Sequence, residues 1–230
     1  EDIIKHIINN LNSNLKLKNK NILITAGPTY ESIDPIRFIG NRSSGKMGIA
    51  LALQAAKLGA EVNIVIGPTK IEFSHSNITI FKVQTANEMY QEVNKLFSKS
   101  DISIFSAAVS DYTPIKVEKN KIKKSKKLLS IDLKRTKDII SLMSKKKKKK
   151  QFVVGFSLET DNELTFATSK LKNKNLDMIV LNSLNNKGAG FNLDTNKITI
   201  IDKNNNITNF KLKDKKDVAK DIFDSIINNI

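Results

Sequence analysis

The feature that most restricts how this chain can fold is a regular alternation of short apolar runs with helical patterns, each change of period marked by a turn or a cap. Asn21-Ile-Leu-Ile-Thr25 is a strand-length apolar run that enters the turn Gly27-Pro28-Thr29. A helical pattern over residues 44–58 follows and stops at Gly59, a residue type that accepts the left-handed cap conformation. Glu61 to Ile66 repeats the strand and ends in the same triplet, Gly67-Pro68-Thr69. Thr85 and Glu88 form a capping box for a helix reaching about Phe97, and Asp101 to Ser106 is a third strand. Further on, Phe152 to Phe156 reads as a buried strand, Thr160 with Glu163 opens a helix to about Asn173, and Asp177 to Leu181 returns as a strand. Lys197 to Ile201 and Thr208 to Leu212 look like an antiparallel pair before a last helix after Asp214.

This order predicts an α/β domain, a Rossmann-like, mostly parallel sheet flanked by helices. Residues 112–134 carry no core pattern, and a segment of that length inside a compact domain is a lid, a binding loop or a subunit contact. At the other end, Ile3, Ile4, Ile7, Ile8, Leu11 and Leu15 recur at helical spacing before a polar stretch. The expectation is a linker helix over residues 1–20 that leads into a single domain over residues 21–230. No run of about 18 apolar residues is present, so a soluble, cytoplasmic protein is expected. With no cysteine in the chain, its own disulfides, thiol catalysis and thiolate metal ligation are excluded.

The formal charge of +16 raises the possibility of nucleic-acid binding. Against it, Lys, Asn and Ile are enriched throughout, and no aromatic residues interleave with the lysines as single-strand stacking requires. Residues 145–150, all lysine, read as a solvated loop.

Several motifs invite other chemistry. Gly40-Asn-Arg-Ser-Ser-Gly45-Lys46 has the spacing of a P-loop, but Met47 stands where magnesium needs a Ser or Thr hydroxyl. What remains is a Ser/Gly-rich turn opening a helix, which makes Ser43, Ser44 and Gly45 phosphate-binding candidates; alternatively the two serines only cap the helix. No G-x-G-x-x-G follows the first strand, which argues against dinucleotide binding, and the two histidines, His6 and His75, sit in no metal-ligand pattern.

An ordered set of motifs resembles bacterial phosphopantothenoylcysteine synthetase. It begins with Ile24-Thr-Ala-Gly-Pro-Thr29 and continues with Asp34-Pro-Ile-Arg37-Phe-Ile-Gly-Asn41-Arg-Ser-Ser-Gly-Lys-Met-Gly48 and Ser106-Ala-Ala-Val-Ser-Asp111-Tyr. Next come Lys121-Ile-Lys-Lys124, Val154-Gly-Phe156-Ser-Leu-Glu159-Thr, Lys170-Leu-Lys-Asn-Lys174-Asn-Leu-Asp177 and Gly188-Ala-Gly-Phe191.

The resemblance implies a ligase of coenzyme A biosynthesis that activates 4'-phosphopantothenate with CTP, through an acyl-cytidylate, and then joins it to cysteine with release of CMP. It implies Lys121 as the catalytic residue of activation and Asn41 as that of the cysteine step. Arg37, Asn41 and the backbone at Ala107 and Ala108 correspond to substrate contacts. Asp111, Lys121, Thr136, Lys137, Asp138, Ile139, Phe156, Lys170 and Lys174 correspond to the nucleotide site. Where relatives read Asn-Pro-Asp-Ile, this chain has Thr136-Lys137-Asp138-Ile139, and Leu158 replaces a smaller residue. Mg2+ is expected to be held through the nucleotide phosphates, and an ATP-dependent version of the same ligase is the nearest alternative. The resemblance also implies a homodimer contacting through the segment beyond Tyr112, and an N-terminal flavin-dependent decarboxylase domain in a longer bifunctional protein.

Overall fold

The computed structural model describes residues 15–123, 128–159, 161–183 and 193–230. Its centre is an eight-stranded sheet. Three strands, β1 (Asn21–Ala26), β4 (Glu61–Ile66) and β5 (Ile78–Lys82), form one side, and β6 (Ile102–Phe105), β9 (Phe152–Glu159) and β10 (Met178–Ser183) extend the other. Two antiparallel strands, β12 (Ile198–Asp202) and β13 (Ile207–Asn209), complete it in the order β13-β12-β10-β9-β6-β1-β4-β5. All neighbours from β5 to β10 pair in parallel. The order reverses between β1 and β6, and in doubly wound sheets ligands bind in the crevice at such a switch point, outside the carboxyl ends of the strands.

Alternation along each strand divides the core between two faces. Ile22 and Ile24 of β1, Val62 and Ile64 of β4, and Met178 and Val180 of β10 pack with α1 (Lys46–Lys57) and α5 (Lys215–Ile227). Leu23, Val65 and Ile179 point the other way, towards α2 (Ala86–Phe97), α3 (Ile139–Ser144) and α4 (Glu163–Asn173). Strands buried on both faces read as continuous apolar runs, which is why they stand out in the sequence.

The expected elements are present with small shifts. Thr85 and Glu88 make the reciprocal capping box of α2. Residue 160 and the motif at 188–191 lie outside the described residues, and α4 starts instead from Asn162 in the left-handed region. The edge strand β5 and the short helix α3 carry no strong sequence signal. The two ends of the 112–134 segment are anchored to each other, with β7 (Tyr112–Pro114) paired to β8 (Leu133–Arg135). At the front of the described chain, residues 16–19 form a turn and Leu17 is fully buried, donating its N–H to the Leu58 carbonyl. The predicted linker helix otherwise falls on residues 1–14, outside the described ones. No helix among the described residues is long and apolar enough to cross a membrane.

The lysine run at 145–150 is not simply a solvated loop. Lys146 bonds Asn94 on α2, Lys147 reaches Asp177 at 3.0 Å, and Lys148 donates to the Ser98 carbonyl. These contacts fasten the turn after α3 to its neighbours, although Lys147 alone is paired with a carboxylate and Lys146 and Lys148 stay exposed.

The turns after β1 and β4 meet backbone to backbone. The Gly67 N–H donates to the Ala26 carbonyl at 3.0 Å, and a Cβ on Gly67 would lie 1.6 Å from the Pro28 carbonyl oxygen. Gly67→Ala is therefore expected to destabilise the domain by about 3 kcal/mol, the upper end for an overpacked site, because the obstacle is backbone and cannot rotate away. Urea unfolding of the variant checks this; an unchanged midpoint would show that the turns can separate.

Candidate functional site

Two adjoining clefts open at the carboxyl edge where β1 and β6 diverge. An isolated parallel bridge between Pro28 and Ala108 carries the β1–β6 pairing past the strand ends and forms the floor between them. The first cleft, about 520 Å³, is lined by Ala107, Asp111, residues 135–140, Phe156, Lys170 and Lys174. The second, about 570 Å³, is lined by residues 41–48 at the start of α1, by Ala107, Ala108 and Asp111, and by Phe156, Lys170, Asn182, Asn196 and Lys215. Ala107, Val109, Asp111, Phe156 and Lys170 belong to both walls.

The segment at 136–139 is positioned by its own polar atoms. Thr136 donates its hydroxyl to the Ser110 carbonyl at 2.6 Å and its N–H to the Asp111 carbonyl. Asp138 is the N-cap of α3, accepting from the Ser141 N–H at 3.1 Å, and its other oxygen pairs with Lys174 at 2.8 Å. Thus the residue that replaces proline, Lys137, does not break the loop. Its ammonium turns away to lie 4.1 Å over the Tyr90 ring.

Lys170 and Lys174 stand one helical turn apart on α4 but do different jobs. Lys174 is held by Asp138. Lys170 donates to the Phe156 carbonyl at 2.8 Å, which places its ammonium beside the middle of β9, on the wall common to the two clefts. Burial, followed by the like charge of Lys174, lowers the pKa of Lys170, against the opposing pull of Glu159, Asp138 and Asp111. A cation held at this cost is a natural partner for an anion that enters the cleft.

At the start of α1, neither serine caps the helix. Gly45 is the N-cap with φ +79°, no side-chain bond closes the cap, and no acidic residue lies in the first turn. The first N–H groups of a twelve-residue helix therefore face the second cleft. Asn41 is anchored beside it, its Nδ2 donating to the Val109 carbonyl at 2.9 Å. The N–H groups of Ala107 and Ala108 are committed to Thr25 Oγ1 and the Gly27 carbonyl. Contacts from these two alanines must come from other atoms than their amides.

Arg37 and Lys121 are the exceptions among the expected site residues, since neither lines the two clefts. Arg37 donates to the Ile122 carbonyl and lies 3.5 Å from Asp34, while the Ile122 N–H returns to the same carboxyl group. Burial would raise the Asp34 pKa, but the N–H groups of Ile36, Arg37 and Ile122 and the Arg37 charge outweigh it and hold the carboxyl below its usual range. Lys121 lines a separate cavity at the base of the protruding segment. The lining residues that sequence reasoning missed are Lys46, Asn182, Asn196 and Lys215. They come from four separate elements or turns, and no spacing rule links them.

A model of the C-terminal domain of DNA/pantothenate metabolism flavoproteins matches residues 17–230. The chain belongs to this family. It is 42% identical over 91% of its length to the coenzyme A biosynthesis bifunctional protein CoaBC of Bacillus subtilis. It is also 49% identical over 99% of its length to a cysteine/cysteine sulfinic acid decarboxylase from an unknown prokaryotic organism. The chain spans 52% and 64% of those two proteins, so their names describe longer molecules. Among solved structures, the C-terminal domain of CoaBC superposes with a TM-score of 0.79 at 39% identity, covering 93% of this chain and 96% of that one. The family resemblance and the α/β fold expected from the sequence both hold.

Asp138 offers a test of how the 136–139 loop is held. Burial would raise its pKa, but Lys174 and Ser141 outweigh it and leave it lowered. A carboxyl whose folded pKa lies below its unfolded value contributes fully above about pH 4 and loses that contribution as pH falls through the folded value. Asp138→Ala is expected to cost about 1 kcal/mol at pH 7 through the lost cap, with only a few tenths from the half-exposed ion pair. The charge-dependent part of that difference should disappear in strong acid, leaving what the neutral carboxyl still accepts from the Ser141 N–H; denaturation curves at pH 7 and below about pH 3 check the decrease.

Proposed function

We propose that this chain is the ligase unit that joins cysteine to 4'-phosphopantothenate at the expense of CTP, in the synthesis of coenzyme A. The observation that carries this reading is the shared wall of the two clefts. Asp111, Phe156 and Lys170 face both a pocket bounded by the 136–139 loop and a second one that holds Asn41 and the open start of α1. A nucleotide seated in the first would present its phosphates at Lys170, beside an acid seated in the second.

In the first step a carboxylate oxygen of the acid attacks the α-phosphorus, the bond to the β-phosphate oxygen breaks, and pyrophosphate leaves. Two anions meet there, so fixed cations and oriented N–H groups must already face them, which Lys170 and the α1 start supply. In the second step the cysteine amine attacks the acyl carbon, a C–N bond forms, CMP departs and the amine loses a proton. Asn41 would donate to the acyl oxygen as it gains charge through its second Nδ2 hydrogen, the first being held by the Val109 carbonyl.

Magnesium fits this scheme only as an ion carried by the phosphates. Among the described residues no group of three or more acidic or histidine side chains could hold it, and Asp111 is the carboxylate on both cleft walls. When bound, the ion would neutralise phosphate charge.

The positions of Arg37 and Lys121 support a site completed by a second copy of the chain. Both sit at the base of the protruding segment, whose Ile115, Val117, Leu129 and Leu133 are exposed. A homodimer formed through that segment would bring one copy's Lys121 and Arg37 to the other copy's clefts.

The protein is expected to release pyrophosphate from CTP only when phosphopantothenate is present, and to form CMP and the cysteine adduct once cysteine is added. A folded protein that does neither ends the proposal, and competition with ATP fixes the nucleotide. Asn41→Asp should slow the cysteine step by about 10²- to 10³-fold, as loss of an oxyanion donor does, and let the acyl-cytidylate accumulate. Lys121→Gln should block pyrophosphate release. Mixing these two inactive variants under conditions of subunit exchange should restore part of the activity if the site spans two copies; no recovery means that Lys121 acts within its own chain.

A further inference from the structure

Besides the residues given a role from the sequence, the second cleft is lined by Lys46, Lys215 and Asn196. Asn196 is only 1% exposed, and its orientation is fixed because the Lys197 N–H donates to its Oδ1 at 3.0 Å. That leaves Nδ2, a buried donor in the cleft wall, with no partner. A buried amide donor without an acceptor costs about 1–3 kcal/mol, so its retention in a cleft wall points to a ligand that accepts from it.

The surroundings show what kind. Lys215, the first residue of α5, is 9% exposed and donates to the Leu193 carbonyl. Burial and then the charge of Lys46 lower its pKa, with Asp194 opposing. Lys46 follows the Gly45 N-cap of α1 and pairs at 2.7 Å with Asp194, whose side chain is 84% exposed. Two lysines, one amide donor and the first N–H groups of α1 thus bound one end of the cleft. The acidic groups that face them are Asp194 and, nearer Lys170, Asp111. An acceptor without a partner, Asn182 Oδ1, also lies in the wall and suits a protonated oxygen.

We propose that Lys46, Lys215 and Asn196 form a terminal-phosphate subsite that holds the pyrophosphate end of the nucleotide and retains it as it departs. This rests on the ligase reading for the identity of the nucleotide, and on the shared Lys170 wall for direction. A chain of phosphates that passes Lys170 out of the first cleft continues towards the start of α1. The Lys46–Asp194 pair holds the ammonium at the rim until a phosphate competes for it. The phosphate monoester at the far end of the acid substrate has the same chemistry, and binding measurements separate the two sources.

Titration calorimetry of the full chain with inorganic pyrophosphate, CTP, CMP and phosphopantothenate tests the assignment without depending on turnover. Lys46→Met and Asn196→Asp lie at the rim and at an isosteric position, so each is expected to fold, and Lys215→Met adds the buried cation if its melting curve is intact. Each should weaken pyrophosphate and CTP about tenfold or more and leave CMP and phosphopantothenate unchanged. Three results would overturn the subsite: a parent protein that does not bind pyrophosphate, variants that bind it as the parent does, or variants whose only loss is in phosphopantothenate affinity. If pyrophosphate binding is lost as expected in a protein with no ligase activity, the subsite stands and the ligase reading falls.

Discussion

Everything at the functional edge depends on how closely two loops approach each other. The turn after β1 and the turn after β4 are in backbone contact, because Gly67 has no side chain to hold Pro28 away. That approach leaves room for Gly45 to take a positive φ beside Gly27 and to start α1 at the mouth of the crevice. A side chain at Gly67 would push the β1 turn outward and carry the α1 start with it. The open helix start at the crevice is thus a packing result before it is an electrostatic one.

Where the two clefts join, the electrostatics are arranged around a partly buried cation. Lys174 has its carboxylate, Asp138, while Lys170 has only a carbonyl and a set of more distant acids. Placing the less compensated lysine where two clefts join suits a reaction in which anionic partners from both must approach each other. The large positive charge of the chain is largely unrelated to this. Lys146, Lys147 and Lys148 serve as ties between α2, the turn after α3 and β10's leading edge, and Lys137 lies on Tyr90.

The same structure separates the expected site residues into two groups. Asn41, Ser43, Ser44, Gly45, Ala107, Ala108, Asp111, the 136–139 loop, Phe156, Lys170 and Lys174 share the crevice, whereas Arg37 and Asp34 are tied to the backbone of Ile122, next to Lys121, away from it. The motif order along the chain contains no hint of this division, since Arg37 and Asn41 are four residues apart yet only Asn41 lines the crevice. The strand β3 (Phe38–Gly40), paired with β2 (Tyr30–Ser32), runs between them and turns the chain from one to the other.

The sequence alone determined the layered α/β fold, because strands buried on both faces must be apolar throughout and the helices between them must carry one apolar stripe. It also determined the family, through motifs whose residues are consecutive and so survive reading in one dimension. Only the tertiary structure decided which of those residues meet. Asn196 and Lys215 reach the cleft from the far end of the chain, from a short strand and the first turn of α5, because the antiparallel return of β12 brings them beside β10. Contacts between distant segments follow from sheet order and strand register, and these are set by packing of the whole domain rather than by any local pattern.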